Sequence, residues 1–568
     1  MDTTHAAEAY RRGLWVTTTL ADALRSAAQA SPGRTVLVDK DTRLDCAALD
    51  AQATALAHAL LVRMPTGSVV SFMLPNWHEA AAIYLAATLA GMVVNPILPS
   101  LRDHDLRFIL EDAETAAIFI PHRFGGHDYA AMLERVTATL DRAPEVVLVR
   151  GEHGAHTPYP TLLEGPPDRT RLPALDPDAV RMVLYTSGTT GRPKGVLHSH
   201  NSIHALIRQI RDQWNIEPGD TFLVPSPIAH IGGSIYAFEC PLLLGTTAIL
   251  MDRWDPSAAV ALMNTERCTH MAGATPFLQQ LLSAAERSGS RLPHLKVFVC
   301  GGASVSPSLI RRAAGYFDRA VVTRVYGCTE VPVATVGAPL PHEADRAADT
   351  DGRAGIAEIK LVAHAAAPAG DGEVCVRGPQ MLLGYRHPED DADCFDPEGF
   401  FHTGDLGRWV DDQYLVVTGR AKDVIIRNGE NISAKEVEDL LADHPAIAEI
   451  AVVGLPDDRT GERACAVIVP AGEPGPDVAD LLALLNSKGV AKFKAPEQVV
   501  IWDALPKNDA GKILKHRIRA ALTQSAIASA AEPGAAGRRQ TTQSAIASAA
   551  EPGAAGRRQT TQAEPGDG

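Results

Sequence analysis

Between Thr19 and about Thr418, short apolar runs (VVSFMLP, AAIFIP, TAILM, KVFVCGG and VVTRVYG) alternate with helical patterns, and each run ends in a turn. Strands interleaved with helices in this way predict a layered α/β architecture. At 568 residues the chain exceeds one typical domain and has ample length for large cores, and its 46% apolar content suits a globular protein. After Gly419 the elements shrink. Ser433 and Glu436 are spaced as a capping box opening a helix in AKEVEDLLADH, and strands follow near IAEIAVVG and RACAVIVP, then another helix and strand. The expected organisation is a large α/β domain over 1–418, a small α+β domain over 419–522, and a tail over 523–568. The tail repeats TQSAIASAAEPGAAGRRQT at 523–541 and 542–560, with Ile527 and Ile546 as its large apolar residues. Too little can be buried for two copies to stack, so the tail is expected to be a disordered extension.

Fifty-three basic against 68 acidic residues give a net charge of -15, which opposes nonspecific binding to nucleic acid or anionic lipid. The eight cysteines form no C-x-x-C pair, and a disulfide framework is implausible at this size. MDTTHAAEAYRRGLW lacks the apolar core of a signal peptide. The run Ala80 to Val94 falls short of the roughly 18 to 20 residues that span a bilayer, and reads as a buried helix and strand. A cytoplasmic protein without an integral membrane segment is expected.

Residues 185–195 read YTSGTTGRPKG. Gly188, Gly191 and Gly195 let backbone approach an anion. Thr186, Ser187, Thr189 and Thr190 supply hydroxyls, and Lys194 supplies positive charge, so the loop reads as a triphosphate grip. It is not a Walker loop, because Gly188 and Gly191 are too close together and Lys194 is followed by Gly195. MVLYT reads as a strand entering the loop and the segment from about Ser199 as a helix leaving it, so the loop is expected to bridge strand and helix. His198, His200 and His204 could suggest a metal site, but no acidic or cysteine ligand lies nearby in sequence.

Six further stretches accompany the loop in order: PIAHIGG (227–233), CGGA (300–303), YGCTE (326–330), HTGD (402–405), GRAKDVIIRNGENI (419–432) and PKNDAGK (506–512). Together, over roughly 15–520, they resemble the acyl-adenylate-forming superfamily in its acyl-CoA synthetase branch. The resemblance implies a large N-terminal domain of the adenylate-forming type with a small mobile C-terminal domain. Its implied cofactors are ATP, Mg2+ and coenzyme A. By resemblance, the 186–194 loop holds the departing phosphates, Thr329 contacts phosphate and Glu330 binds Mg2+. Tyr326, followed by Gly327, packs beside adenine. Gly302 and Ala303 admit the base, Asp405 and Arg420 contact ribose, and Lys422 is the hinge. Lys512 reaches the α-phosphate and the substrate carboxylate, where it offsets repulsion between two anions. His230 stands between the acyl pocket and the incoming thiol, and Arg427, Gly429 and Glu430 line the thiol route.

The implied activity is ATP-dependent ligation of a small-molecule carboxylic acid to coenzyme A. The acid is expected to be fatty, alicyclic or aromatic, because AHIGGSIYAF (229–238) contains no acidic residue to pair with a substrate amine. Gly232, Gly233 and Gly327 are expected to leave room for a bulky chain. Transfer to a carrier-protein phosphopantetheine thiol is an alternative. So is a silent nucleotide or acyl-CoA sensor, although Lys512, Glu330 and Asp405 are all of the residue types chemistry requires.

Overall fold

The computed structural model describes residues 3–165, 168–186, 192–302, 305–368, 370–428, 430–457, 459–508 and 511–530. Two mainly parallel sheets dominate. The seven-stranded sheet runs in the order 321–324, 297–300, 270–273, 221–224, 247–250, 35–39, 42–45, with only the last pairing antiparallel. The eight-stranded sheet runs 384–385, 194–199, 180–186, 93–96, 69–72, 115–120, 145–148, 157–158. Both are covered on both faces, which is why their strands read as continuous apolar runs. In Thr115–Ile120, Ala117 and Phe119 enter the core shared by the two sheets, while Ile118 and Ile120 pack with Leu106 and Leu133 on the opposite face. Val297 and Val299 divide from Phe298 and Cys300 in the same way. The run Ala80 to Val94 becomes helix His78–Leu89, buried from Glu79 to Leu89, and strand Val93–Pro96.

The expected strand-to-helix loop is corrected. Strand Val180–Thr186 pairs antiparallel with Lys194–Ser199, and helix His200–Gln213 starts only after that second strand. Val196 is drawn into the core beneath the hairpin, and the Ser199 side chain caps the helix by accepting from Ser202 N at 3.1 Å. Thr186 and Lys194 thereby become register partners.

A four-stranded antiparallel sheet (358–362, 372–377, 401–410, 414–420) follows. Beyond the 3-10 turn Ala421–Asp423, strands 425–427, 430–432, 447–457, 461–470 and 498–501 form a second small sheet. Helices Ala434–Leu441 and Val478–Ser487 share one core with it, through Val437, Leu441, Leu481 and Leu485. The last helix, Lys515–Ala530, continues into the first copy of the tandem repeat, where the alanine-rich sequence favours helix. No described helix is long and apolar enough to cross a membrane.

Candidate active site

The hairpin turns the two ends of its loop toward a cleft of about 1590 Å³, lined by both the large and the small unit. Ser187, Gly188, Thr189, Thr190 and Gly191, expected to grip phosphate, lie outside the described residues, as do Ala303 and Gly429. Thr186 and Lys194 line the cleft. The Lys194 ammonium donates to the Asp390 carbonyl at 3.3 Å, lies 3.6 Å from that residue's carboxylate, and faces the Tyr385 ring at 4.8 Å. Arg192 approaches both Asp390 carboxylate oxygens at 2.8 Å. Asp390 therefore holds two cations at the loop's exit.

Thr329 and Glu330 sit on the same wall. Tyr385 donates to Glu330 Oε1 at 2.8 Å, which fixes that carboxylate. One oriented carboxylate facing the cleft suits Mg2+, which commonly takes one or two protein carboxylates and completes its shell with water and substrate phosphate. His198 donates through Nε2 to the Thr329 carbonyl at 2.8 Å, and burial pulls its pKa down to about 4. Burial likewise depresses His200 and His204. His198 is thus used as a neutral packing residue behind the site.

Further along the cleft a second cluster is built around Asp405. Strand Phe401–Val410 places it opposite Arg420, whose Nε lies 2.7 Å from Asp405 Oδ1, while Tyr326 donates to Oδ2 at 2.8 Å. Burial and the adjacent Asp405 carboxylate push the Tyr326 phenol well above its ordinary value. It therefore stays a donor. Gly302 adopts φ +81° in the cleft wall with open space where a side chain would project.

Lys512 comes from the small unit into this cleft. Its loop is pinned through backbone atoms: Lys512 N donates to Asn508 Oδ1 at 2.8 Å, and Asn508 N donates to Lys512 O at 2.9 Å. Gly511 takes φ +78°, and a Cβ there would lie 3.1 Å from Pro276 Cγ of the large unit. The Lys512 side chain reaches water in the cleft, yet the protein crowded around it and the Arg420 guanidinium lower its pKa, with Asp405 opposing. Lys422 lies on the connecting turn and is lowered by burial and by Arg420.

Other expected residues lie elsewhere. Arg427 donates to Phe493 O at 2.9 Å and pairs with Glu497 at 2.5 Å, and Glu430 is exposed on the neighbouring strand; neither lines the cleft. His230 precedes the short helix Ile231–Ser234, and its Nε2 is buried without a hydrogen-bond partner among the described residues. Burial lowers its pKa. The expected spaciousness of the glycines needs correction. A Cβ at Gly232 would meet nothing within 4 Å, but one at Gly233 would lie 2.1 Å from Pro227 O and one at Gly327 2.5 Å from Val333 N. The chain's own backbone fills those two places.

Sequence reasoning missed Tyr385 and Asp390, which carry no motif and reach the site only through the fold. It also missed Glu239. This acid follows the acid-free stretch 229–238 and is buried against Arg181 at 2.5 Å and the Tyr84 hydroxyl at 2.6 Å. Its charge is already matched.

Residues 24–386 match the AMP-binding enzyme family, and residues 436–512 match the AMP-binding enzyme C-terminal domain. A medium-chain fatty-acid–CoA ligase of Escherichia coli K12 is 36% identical over 90% of this chain and 92% of its own. A 2,3-dihydroxybenzoate-AMP ligase of Bacillus subtilis 168 is 30% identical over 92% and 97%. The crystal structure of ATP-bound MatB from Rhodopseudomonas palustris superposes with a TM-score of 0.79, at 27% identity, over 89% of this chain and all of that one.

Proposed function

Because the chain belongs to the AMP-binding enzyme family and is an acyl-adenylate-forming ligase, we propose that it joins a hydrophobic carboxylic acid to coenzyme A. The observation that carries this reading is the entry of Lys512 from the small unit into the cleft that holds Asp405, Arg420 and Glu330. In the first step a carboxylate oxygen attacks the α-phosphorus of ATP, the bond to the β-phosphate breaks, and pyrophosphate leaves. Lys512 offsets the repulsion between the two anions, while Thr186, Lys194 and Thr329 hold the departing phosphates. Asp405 and Arg420 orient the ribose, with Tyr326 beside the base. Glu330 would hold Mg2+ against the substrate's phosphates, where the cation neutralises charge.

In the second step the coenzyme A sulfur attacks the acyl carbon and the bond to AMP breaks, with loss of the thiol proton. For that step the small domain, taken as 419–522, would turn about Lys422. Lys512 would withdraw, and the hairpin bearing Arg427, Gly429 and Glu430 would be presented near His230. Arg427 and Glu430 stand outside the cleft in the present arrangement, as such an alternation requires. An uncharged acyl chain is supported by the absence of acid over 229–238, by the pairing of Glu239 with Arg181, and by the fatty-acid ligase among the relatives. A reducing cytoplasm suits eight unpaired thiols.

Delivery to a carrier-protein thiol is the second reading, favoured by the similarity to an aryl-AMP ligase. Mass spectrometry of products from purified protein, Mg-ATP and a panel of fatty, alicyclic and aromatic acids, with and without coenzyme A, separates the two. Acyl-CoA is expected. Acyl-AMP that accumulates unchanged by coenzyme A would favour the carrier protein, and the absence of both products would point to an acid outside the panel or to the silent sensor.

A further inference from the structure

Beside the nucleoside end lies a side-chain cluster that the ligase reading does not use. Along strand Gly372–Arg377, alternation sends Val374 and Val376 into the core and leaves Glu373 and Cys375 on the other face. His402 is the register partner of Cys375 on the adjoining strand. Three different ligand types therefore converge. His402 Nδ1 is 3.0 Å from Glu373 Oε2 and 3.4 Å from Cys375 Sγ, and one ligand atom from each residue lies within 4.8 Å of the others.

We propose that Glu373, Cys375 and His402 form a binding site for a borderline-soft divalent cation of the zinc type. Tetrahedral Zn2+, with N and O ligands at about 2.0 Å and S at about 2.3 Å, sets its ligand atoms roughly 3.2 to 3.6 Å apart. The two printed separations sit close to that range, so a small outward movement accommodates the ion. Thiolate with imidazole selects zinc, cobalt or copper rather than Mg2+ or Ca2+. Thiolate and carboxylate together would balance the ion's charge. The neighbouring cation, Lys360, is opposite Cys375 in the sheet but is drawn aside by Asp396 and Glu398, both at 2.7 Å.

Access is from the large cleft, which His402 lines while Cys375 is fully buried behind it. The fourth coordination position would face the cleft. The site also has mechanical reach: Glu373 Oε1 accepts from Gly404 N at 3.1 Å, immediately before Asp405. A bound ion would tie strand 372–377 to strand 401–410 where the nucleoside-binding carboxylate emerges.

The test needs neither acid, ATP nor coenzyme A, so it is independent of the ligase assignment. Full-length protein is stripped with chelator and titrated with Co2+. The expected result is a thiolate-to-cobalt charge-transfer band that saturates at one ion per chain and is bleached by Zn2+. Cys375→Ser should lose the band, while Cys328→Ser and Cys394→Ser should keep it. Glu373→Gln should keep the band but weaken binding by roughly 10- to 100-fold or more, since loss of even an outer-shell partner costs that much. Absence of the band in folded wild-type protein would overturn the proposal, as would its survival in Cys375→Ser.

Discussion

Replacing Lys512 by alanine separates chemistry from folding unusually well. The two hydrogen bonds between residues 508 and 512 use residue 512 only through its backbone, to Asn508 Oδ1 and from Asn508 N, and the side chain makes no ion pair in the described structure. The substitution should therefore change stability by no more than about 0.5 kcal/mol. In the proposed reaction it removes a cation that would face two approaching anions, whereas Lys507, on the same loop and also lining the cleft, is paired with Glu449 at 2.6 Å. Loss of one preorganised donor of this kind costs about 2.7 to 4 kcal/mol, or roughly 10² to 10³ in rate. Arg420 and Lys194 remain, so residual adenylation is expected. The assay measures acid-dependent exchange of labelled pyrophosphate into ATP, and separately thioester formation from supplied acyl-AMP. Exchange should fall by roughly 10² to 10³ while thioester formation persists. Equal loss in both half-reactions, or exchange reduced less than about tenfold, would refute the argument.

Gly233→Ala should destabilise by about 1 to 3 kcal/mol in chemical denaturation, since its Cβ would meet Pro227 O at 2.1 Å, whereas Gly232→Ala should leave stability unchanged. Glu239→Gln leaves Arg181 uncompensated in the core and should cost about 3 to 5 kcal/mol in the same assay. For His198, burial depresses the folded pKa from the ordinary 6.5 to about 4, so the folded state binds fewer protons than the unfolded one. Its contribution is full above pH 6.5 and is lost as pH falls toward 4, at up to about 3 kcal/mol. Denaturation midpoints measured across pH 7 to 4 should fall less steeply in His198→Gln.

Much of the site was legible because its chemistry demands uncommon residues in short ordered stretches. Tyr326 with Glu330, Asp405, Arg420 and Lys512 could each be singled out that way, and the structure brings all five to one cleft. Tyr385 and Asp390 were not legible. They act by holding Glu330 and Lys194, and a phenol or carboxylate far along the chain gives no local sign of such a partner. The apolar alternation announced the layered α/β architecture. It concealed the hairpin, because KGVLHS offers only two adjacent apolar residues and neither strand nor helix periodicity. Glycines 232, 233 and 327 look alike in sequence. Only the fold distinguishes the one that faces space from the two that backbone presses against.

Oxygen transfer tests the central claim most directly. The enzyme is given an acid labelled with 18O in both carboxylate oxygens, together with ATP and coenzyme A, and the released AMP and phosphates are weighed by mass spectrometry. Attack of the carboxylate on the α-phosphorus followed by thiol attack on the acyl carbon leaves one acid-derived 18O in AMP and none in pyrophosphate. Label in inorganic phosphate, with unlabelled nucleotide, would mean an acyl-phosphate route and would contradict the account.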